Sequence, residues 1–216
     1  MDILYSDQKL VVCIKPVGVL STDEPGGMPS LLRAEALGGE YIYSVHRLDR
    51  TVGGVMVYAK TRHAAATLGE AMQGGAFQKE YRAVVRGIPG NRADTLTDLL
   101  RRDRRERKTY VVTEPGDDVR QAVLDHRVLA TAEGLSLLAV TLHTGRTHQI
   151  RCQLAHHGLP LYGDRKYGLP DEEGTPALWS YSLRFPHPVT GETLCFSAPP
   201  PAAAPWTLFS SAGETL

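Results

Sequence analysis

The 216-residue chain has only three cysteines, and Cys13, Cys152 and Cys195 lie far apart with no Cys-x-x-Cys pair. That number and spacing suggest neither a disulfide framework nor a zinc knuckle, so the thiols are expected to be reduced and mostly buried. An excess of one charge sign is also lacking: 24 Lys+Arg stand against 24 Asp+Glu, a formal net charge of zero. Nucleic-acid-binding domains usually carry a basic excess that neutralises phosphates, so whole-chain charge argues mildly against such a partner. Long apolar runs are missing as well. Near the N-terminus, Asp2, Asp7 and Lys9 surround a run of only Leu10 to Ile14, too short for a signal core or a membrane span. A cytoplasmic protein without a membrane partner is the expectation.

The common short motifs are absent too: Gly-x-Gly-x-x-Gly, Gly-x-x-x-x-Gly-Lys-[Ser/Thr], Gly-x-Ser-x-Gly and His-Glu-x-x-His. Dinucleotide binding, P-loop phosphoryl transfer and the familiar serine-hydrolase and zinc-peptidase designs lose their usual sequence support. What remains is ordinary globular composition with no internal repeat and no long linker, so a single domain over 1–216 with one core is expected.

Short β-rich runs at Ile3 to Tyr5 and Lys9 to Ile14 end at Lys15-Pro16-Val17-Gly18, where proline stops the ladder. Ser30 is placed to cap a helix from Leu31 to about Leu37, stopped by Gly38-Gly39. Tyr41 to Leu48 alternates loosely, and Val52 to Ala59 reads as a buried strand interrupted by Gly53-Gly54. Ala64, Ala65, Leu68, Ala71 and Met72 form a helix stripe over Thr61 to Met72. From Phe77 the period becomes two, predicting a half-buried strand closed by Gly87. A charge run at Arg101 to Lys108 precedes strands at Thr109 to Thr113, Ala122 to Leu129 and Leu135 to Leu142. Thr147 is placed to cap a helix through about His157, and strands follow at Leu178 to Phe185 and Thr193 to Phe196. Strands and helices mix without regular alternation, which predicts an α+β fold with a largely antiparallel sheet.

Three constellations could carry chemistry. His148, Cys152 and His156 share a helix face at metal-ligand spacing, yet no carboxylate joins them, and Gln149 and Arg151 flank them with groups better suited to anions. Asp49 stands between Arg47 and Arg50, just before two glycines that let a backbone or ligand come close. It reads either as a surface ion pair or as a nucleophilic or basic carboxylate that a guanidinium keeps ionised. Thr144 to Arg151 joins a glycine turn to a helix start, with Arg146 and Arg151 as donors, a place for a phosphate or for the Asp49 carboxylate.

Taken in order, these stretches resemble the RluA family of RNA pseudouridine synthases. Ile3-Leu4-Tyr5 through Lys15-Pro16-Val17-Gly18 looks like its first motif, and His46-Arg47-Leu48-Asp49 with Gly54 and Ala59-Lys60-Thr61 looks like its catalytic motif. Lys79-Glu80-Tyr81-Arg82-Ala83 with Gly87 matches the strand of its active-site tyrosine. Thr144 to Arg151, continuing to Gly163-Asp164 and Tyr167-Gly168, looks like its arginine-bearing motif, and Leu183 to Pro188 like its last.

The resemblance implies a bent, mostly antiparallel mixed sheet with flanking helices around a central cleft. It also implies isomerisation of uridine to pseudouridine in transfer or ribosomal RNA, without metal or organic cofactor. Asp49 would be the catalytic aspartate, Tyr81 would stack on the target base, and Arg146 would pair with Asp49. Arg47 would probe or fill the RNA stack when the base is flipped out, and His46, Thr147, His148, Gln149 and Arg151 would complete the substrate-binding set. The chain departs from the family where many members have Thr-Ser-Gly, since it has Val52-Gly53-Gly54. The N-terminal S4-type RNA-binding domain of some members is expected to be missing, and a monomer is expected. Substrate choice would then fall to the catalytic domain, with Arg101 to Lys108, six basic residues against Asp103 and Glu106, as its candidate RNA contact. A catalytically idle RNA-binding domain is the alternative, and Asp49, Tyr81 and Arg146 speak against it, because a carboxylate facing phosphates is unfavourable unless it has work to do.

Overall fold

The computed structural model describes residues 2–35, 41–170 and 173–209. Its elements in chain order are β1 (Ile3–Ser6), β2 (Leu10–Lys15), α1 (Met28–Ala34), β3 (Tyr43–Ser44), β4 (Gly53–Ala59), α2 (Arg62–Gln73), β5 (Gln78–Arg86), β6 (Ala93–Asp103), β7 (Lys108–Val112), β8 (Val119–Ala132), β9 (Leu135–Leu142), α3 (Gln149–His156), β10 (Leu178–Pro186) and β11 (Thr193–Ser197). A 3-10 turn, Trp206–Phe209, follows. The chain groups into two compact units: residues 1–80 with 179–199, and residues 81–178 with 200–216. No helix among the described residues is long and apolar enough to cross a membrane.

The first unit is built on β4, whose seven residues are all buried, as expected of a valine-rich strand covered on both faces. β2 pairs with it antiparallel from Leu10↔Ala59 to Lys15↔Gly54, and β1 pairs with β2. On the other edge, β10 runs parallel to β4 at Trp179↔Gly53 and Ser180↔Gly54 and carries β11 antiparallel. Leu68 and Ala64 of α2 pack with Val55, Val57, Phe77 and Phe185 into the core, where the Phe77 and Phe185 rings stack 5.1 Å apart. Thr61 caps α2 by accepting the Ala64 amide at 3.1 Å.

In the second unit the strands follow the order β5-β9-β8-β6-β7. β8 pairs antiparallel with β9 and β6, and β6 with β7. Helix α3 lies against β6 and β7, where Cys152 joins Leu100 and Ala122 in a small core edged by Val111 and Tyr167.

The mixed α+β class and the mostly antiparallel pairing agree with the sequence, while several local expectations change. Helix α1 starts at Met28 behind an N-cap Gly27 that makes no side-chain cap, so Ser30 lies inside it; Pro29, with its φ preset for a first turn, starts it instead. The expected end of that helix at Leu37 and Gly38-Gly39 lies outside the described residues. Of Tyr41 to Leu48, only Tyr43–Ser44 pairs as strand. β5 is not half-buried: Tyr81 to Val85 are all buried, Arg82 included. The charge run falls on a hairpin. It forms the end of β6, the four-residue tip Arg104 to Arg107 and the start of β7, because Leu96 and Leu100 bury one face of β6 while its other side chains stay mostly exposed.

Candidate active site

Asp49 sits half-buried in a turn that the Val52 amide closes on its carbonyl at 3.0 Å. Both neighbours are pinned. Leu48 exchanges two hydrogen bonds with Ser21: its amide donates to Oγ at 3.0 Å, and Oγ donates to its carbonyl at 2.9 Å. Arg50 exchanges two with Gly18, the Gly18 amide donating to the Arg50 carbonyl and Arg50 Nε to the Gly18 carbonyl, each at 2.8 Å. Below the turn lies Lys15, fully buried, donating through Nζ to the carbonyls of Val19 at 2.7 Å, Pro16 at 2.9 Å and Arg50 at 3.4 Å. Burial pulls the pKa of that ammonium down to about 8, against the opposing pull of the Asp49 charge.

Gly53 and Gly54 admit a backbone. A Cβ on Gly54, whose φ is +122°, would meet the Ser180 carbonyl oxygen at 2.3 Å, and one on Gly53 would meet the Trp179 ring at 2.5 Å. Where many family members carry serine, this chain therefore holds the indole of Trp179, whose Nε1 donates to the Ala198 carbonyl.

Arg47 is exposed beside Asp49, whereas His46 is buried. The His46 ring lies 5.6 Å from Phe77, and its Nε2 accepts the Val57 amide at 3.3 Å. Burial, helped by the charge of Lys79, pulls its pKa down to about 3, so the ring stays neutral and its proton falls to Nδ1, which is buried without a hydrogen-bond partner among the described residues. Its observed contacts tie it to β4 and to Phe77 of the first unit's core.

The remaining predicted site residues belong to the second unit. Tyr81 is its first residue and is buried in β5. Arg146 is exposed, with Nε donating to the Gln121 carbonyl at 3.0 Å. Gln149 is the buried pin of this turn: Oε1 accepts from the Arg146 amide at 3.0 Å and the Thr144 hydroxyl at 2.8 Å, and Nε2 donates to the Val123 carbonyl at 3.1 Å. Thr147 does not cap α3. The N-cap is His148, left-handed at φ 55° with no side-chain cap, a conformation costing a non-glycine residue roughly 1–3 kcal/mol unless its surroundings impose it. Thr147 instead accepts from Thr109 Oγ1 at its carbonyl, at 2.9 Å, and from Arg102 at its hydroxyl, at 3.5 Å. Arg151 turns inward and grips the buried Asp164 at 2.8 Å through both Nε and a terminal nitrogen.

The His148-Cys152-His156 stripe is dispersed. His148 Nδ1 lies 2.8 Å from the Tyr167 hydroxyl, Cys152 Sγ donates to the Thr109 carbonyl, and the His156 ring packs on His157. Burial pushes the Cys152 thiol up to about 11. Among the described residues no three His, Cys, Asp or Glu side chains are grouped to hold a metal. Sequence reasoning passed over Lys15, Ser21 and Tyr167 as site residues. Lys15 and Tyr167 stand inside motif stretches, but nothing in sequence marks them as buried.

The family described as RNA pseudouridylate synthase matches residues 9–156, a span that holds every site residue named above from His46 to Arg151. The chain belongs to this family. The synthase is 33% identical over 93% of its length to an uncharacterized RNA pseudouridine synthase of Bacillus subtilis, YlyB, of which it covers 69%. It is 33% identical to ribosomal large subunit pseudouridine synthase D of Xanthomonas campestris, over 93% of the chain and 66% of the relative. To synthase C of Pasteurella multocida it is 34% identical, over 92% and 64%. These relatives place the synthase with the RluA-type enzymes, isomerases that act on uridine in RNA. In fold it matches human RNA pseudouridylate synthase domain containing 1, with a TM-score of 0.80 at 22% identity, covering 94% of this chain and 84% of that one.

Proposed function

We propose that the synthase flips a uridine out of folded RNA and isomerises it with Asp49 as the catalytic carboxylate. The observation that carries this reading is the mounting of Asp49: a half-buried carboxylate between two hydrogen-bonded neighbours, with the buried Lys15 ammonium below the turn. Such a group is held in place before substrate arrives, as a nucleophile must be. Asp49 adds to ribose C1′ or to uracil C6, the C1′–N1 bond breaks, and the uracil rotates. C5 then bonds to C1′, the bond between Asp49 and carbon breaks to return the free carboxylate, C5 gives up its proton, and N1 ends protonated. Tyr81 stacks on the extruded base, Arg146 pairs with Asp49, and Arg47 occupies the gap left in the RNA stack. The exposed arginines of the β6-β7 hairpin take phosphates flanking the target.

The Xanthomonas and Pasteurella relatives are named for the large ribosomal subunit, so ribosomal RNA is the first substrate to test, with transfer RNA second. Asp49→Asn, assayed on both RNAs, abolishes pseudouridine formation and leaves RNA binding nearly unchanged. Turnover near wild type in that variant overturns the assignment. An idle RNA-binding domain is disfavoured, because binding alone gives no reason to brace a carboxylate where phosphates approach.

A further inference from the structure

We propose that Tyr167 is the positioning residue that locks the Arg146–His148 turn to the basic hairpin, so that RNA held on the hairpin sets how Arg146 is presented. This rests on the assignment of Arg146 to the reacting site and deepens it. The Tyr167 hydroxyl accepts the Thr109 amide at 2.7 Å, on β7, which ends the strand order. The same oxygen lies 2.8 Å from His148 Nδ1. With one lone pair taken by Thr109, its proton is available to Nδ1, and burial pushes the phenol pKa up to about 12, so that proton stays at working pH.

Further ties run between the same two segments. Thr109 Oγ1 donates to the Thr147 carbonyl and Arg102 reaches the Thr147 hydroxyl. Beside Tyr167, Lys166 Nζ donates to the Arg107 carbonyl at 2.9 Å near the hairpin tip. The Tyr167 ring carries the Lys108 ammonium and the Arg151 guanidinium, each 5.2 Å from its centroid. His148, left-handed at φ 55°, needs surroundings that hold it so, and Tyr167 is a direct partner of its ring. Beside those ties, the hairpin and the turn meet through two bonds to one oxygen.

Tyr167→Phe removes the hydroxyl and keeps the ring. It lowers kcat about tenfold while KM for RNA stays within about twofold. Replacing Arg104 and Arg105 with alanine lowers kcat and raises KM in the native background, but in the Tyr167→Phe background it raises KM alone. A merely structural role gives additive losses in that cycle. Thr109→Val, which cuts the bond to the Thr147 carbonyl, reproduces the kcat loss should Tyr167→Phe fold poorly. Native kcat in both variants, or additive losses, with Asp49→Asn inactive overturns the coupling alone. An active Asp49→Asn overturns the site assignment beneath it.

Discussion

Arg151 holds Asp164 through two parallel 2.8 Å hydrogen bonds, with the aspartate fully buried and the arginine nearly so. Burial alone would raise the Asp164 pKa, and the Arg151 hydrogen bonds and charge bring it below the ordinary carboxylate range. Removing one partner strands the other charge, so Arg151→Ala or Asp164→Asn costs about 3–5 kcal/mol. Chemical denaturation measures this, and Arg151→Lys, lacking the fork that makes both bonds, does not restore the loss.

Lys15 gives a pH signature. Its folded pKa of about 8 lies below the ordinary lysine value of 10.5. Between those values the unfolded chain holds more protons, so stability rises with pH across that window, by up to about 3 kcal/mol. Denaturation midpoints from pH 7 to 10 show the rise in the native protein, and Lys15→Met lacks it.

Asp7 behaves in the opposite sense. Burial opposes its ionisation, but the amides of Leu10 and Lys9 at 2.8 and 2.7 Å, with His187 at 2.8 Å, bring its pKa to about 2. After solvent screening, the ionised group adds about 1–2 kcal/mol above pH 4, and that contribution is lost as the pH falls towards 2. Asp7→Asn is less stable at pH 7, and its deficit shrinks in acid melts.

The two glycines after Asp49 rank by what they touch. Gly54→Ala meets backbone at φ +122° and costs more than about 3 kcal/mol, whereas Gly53→Ala meets chiefly the Trp179 ring and costs less. Trp179→Leu partly suppresses the second defect and leaves the first, as thermal melts of the single and double variants show.

On the hairpin, Arg101, Arg104 and Arg105 are exposed, while Arg102 also holds Thr147. Replacing those three with alanine weakens RNA affinity and flattens its salt dependence by about 0.7–0.9 for each phosphate left without its arginine. Unchanged affinity and slope in a salt titration leave the hairpin as a solvated charged face.

The motif order was readable from the sequence because it lies in residue identities: Asp49 and Arg146 stand out by residue type and setting, and Tyr81 by the resemblance to the family. Helix α2 was readable from its stripe. Burial of polar side chains was not. His46, Gln149 and Arg151 look equally open to substrate in a sequence, and only tertiary neighbours commit them to Val57, Val123 and Asp164. Strand β6 escaped because Leu96 and Leu100 are its only buried residues and its partner β8 is remote in the chain. The cap moved from Thr147 to His148 because Thr109 and Arg102, both distant in sequence, claim the threonine.

The first unit is discontinuous, with residues 81–178 lying between its two pieces. During synthesis, β4 must wait for β10, with Leu183 and Phe185, roughly a hundred codons downstream, at about 5–20 residues per second. For several seconds the valines of β4 have only part of their final cover. The second unit has its five strands and α3 in hand before Trp179 is made. The strands that carry the Arg146 turn can therefore pair before β10 joins β4, the strand that follows Asp49.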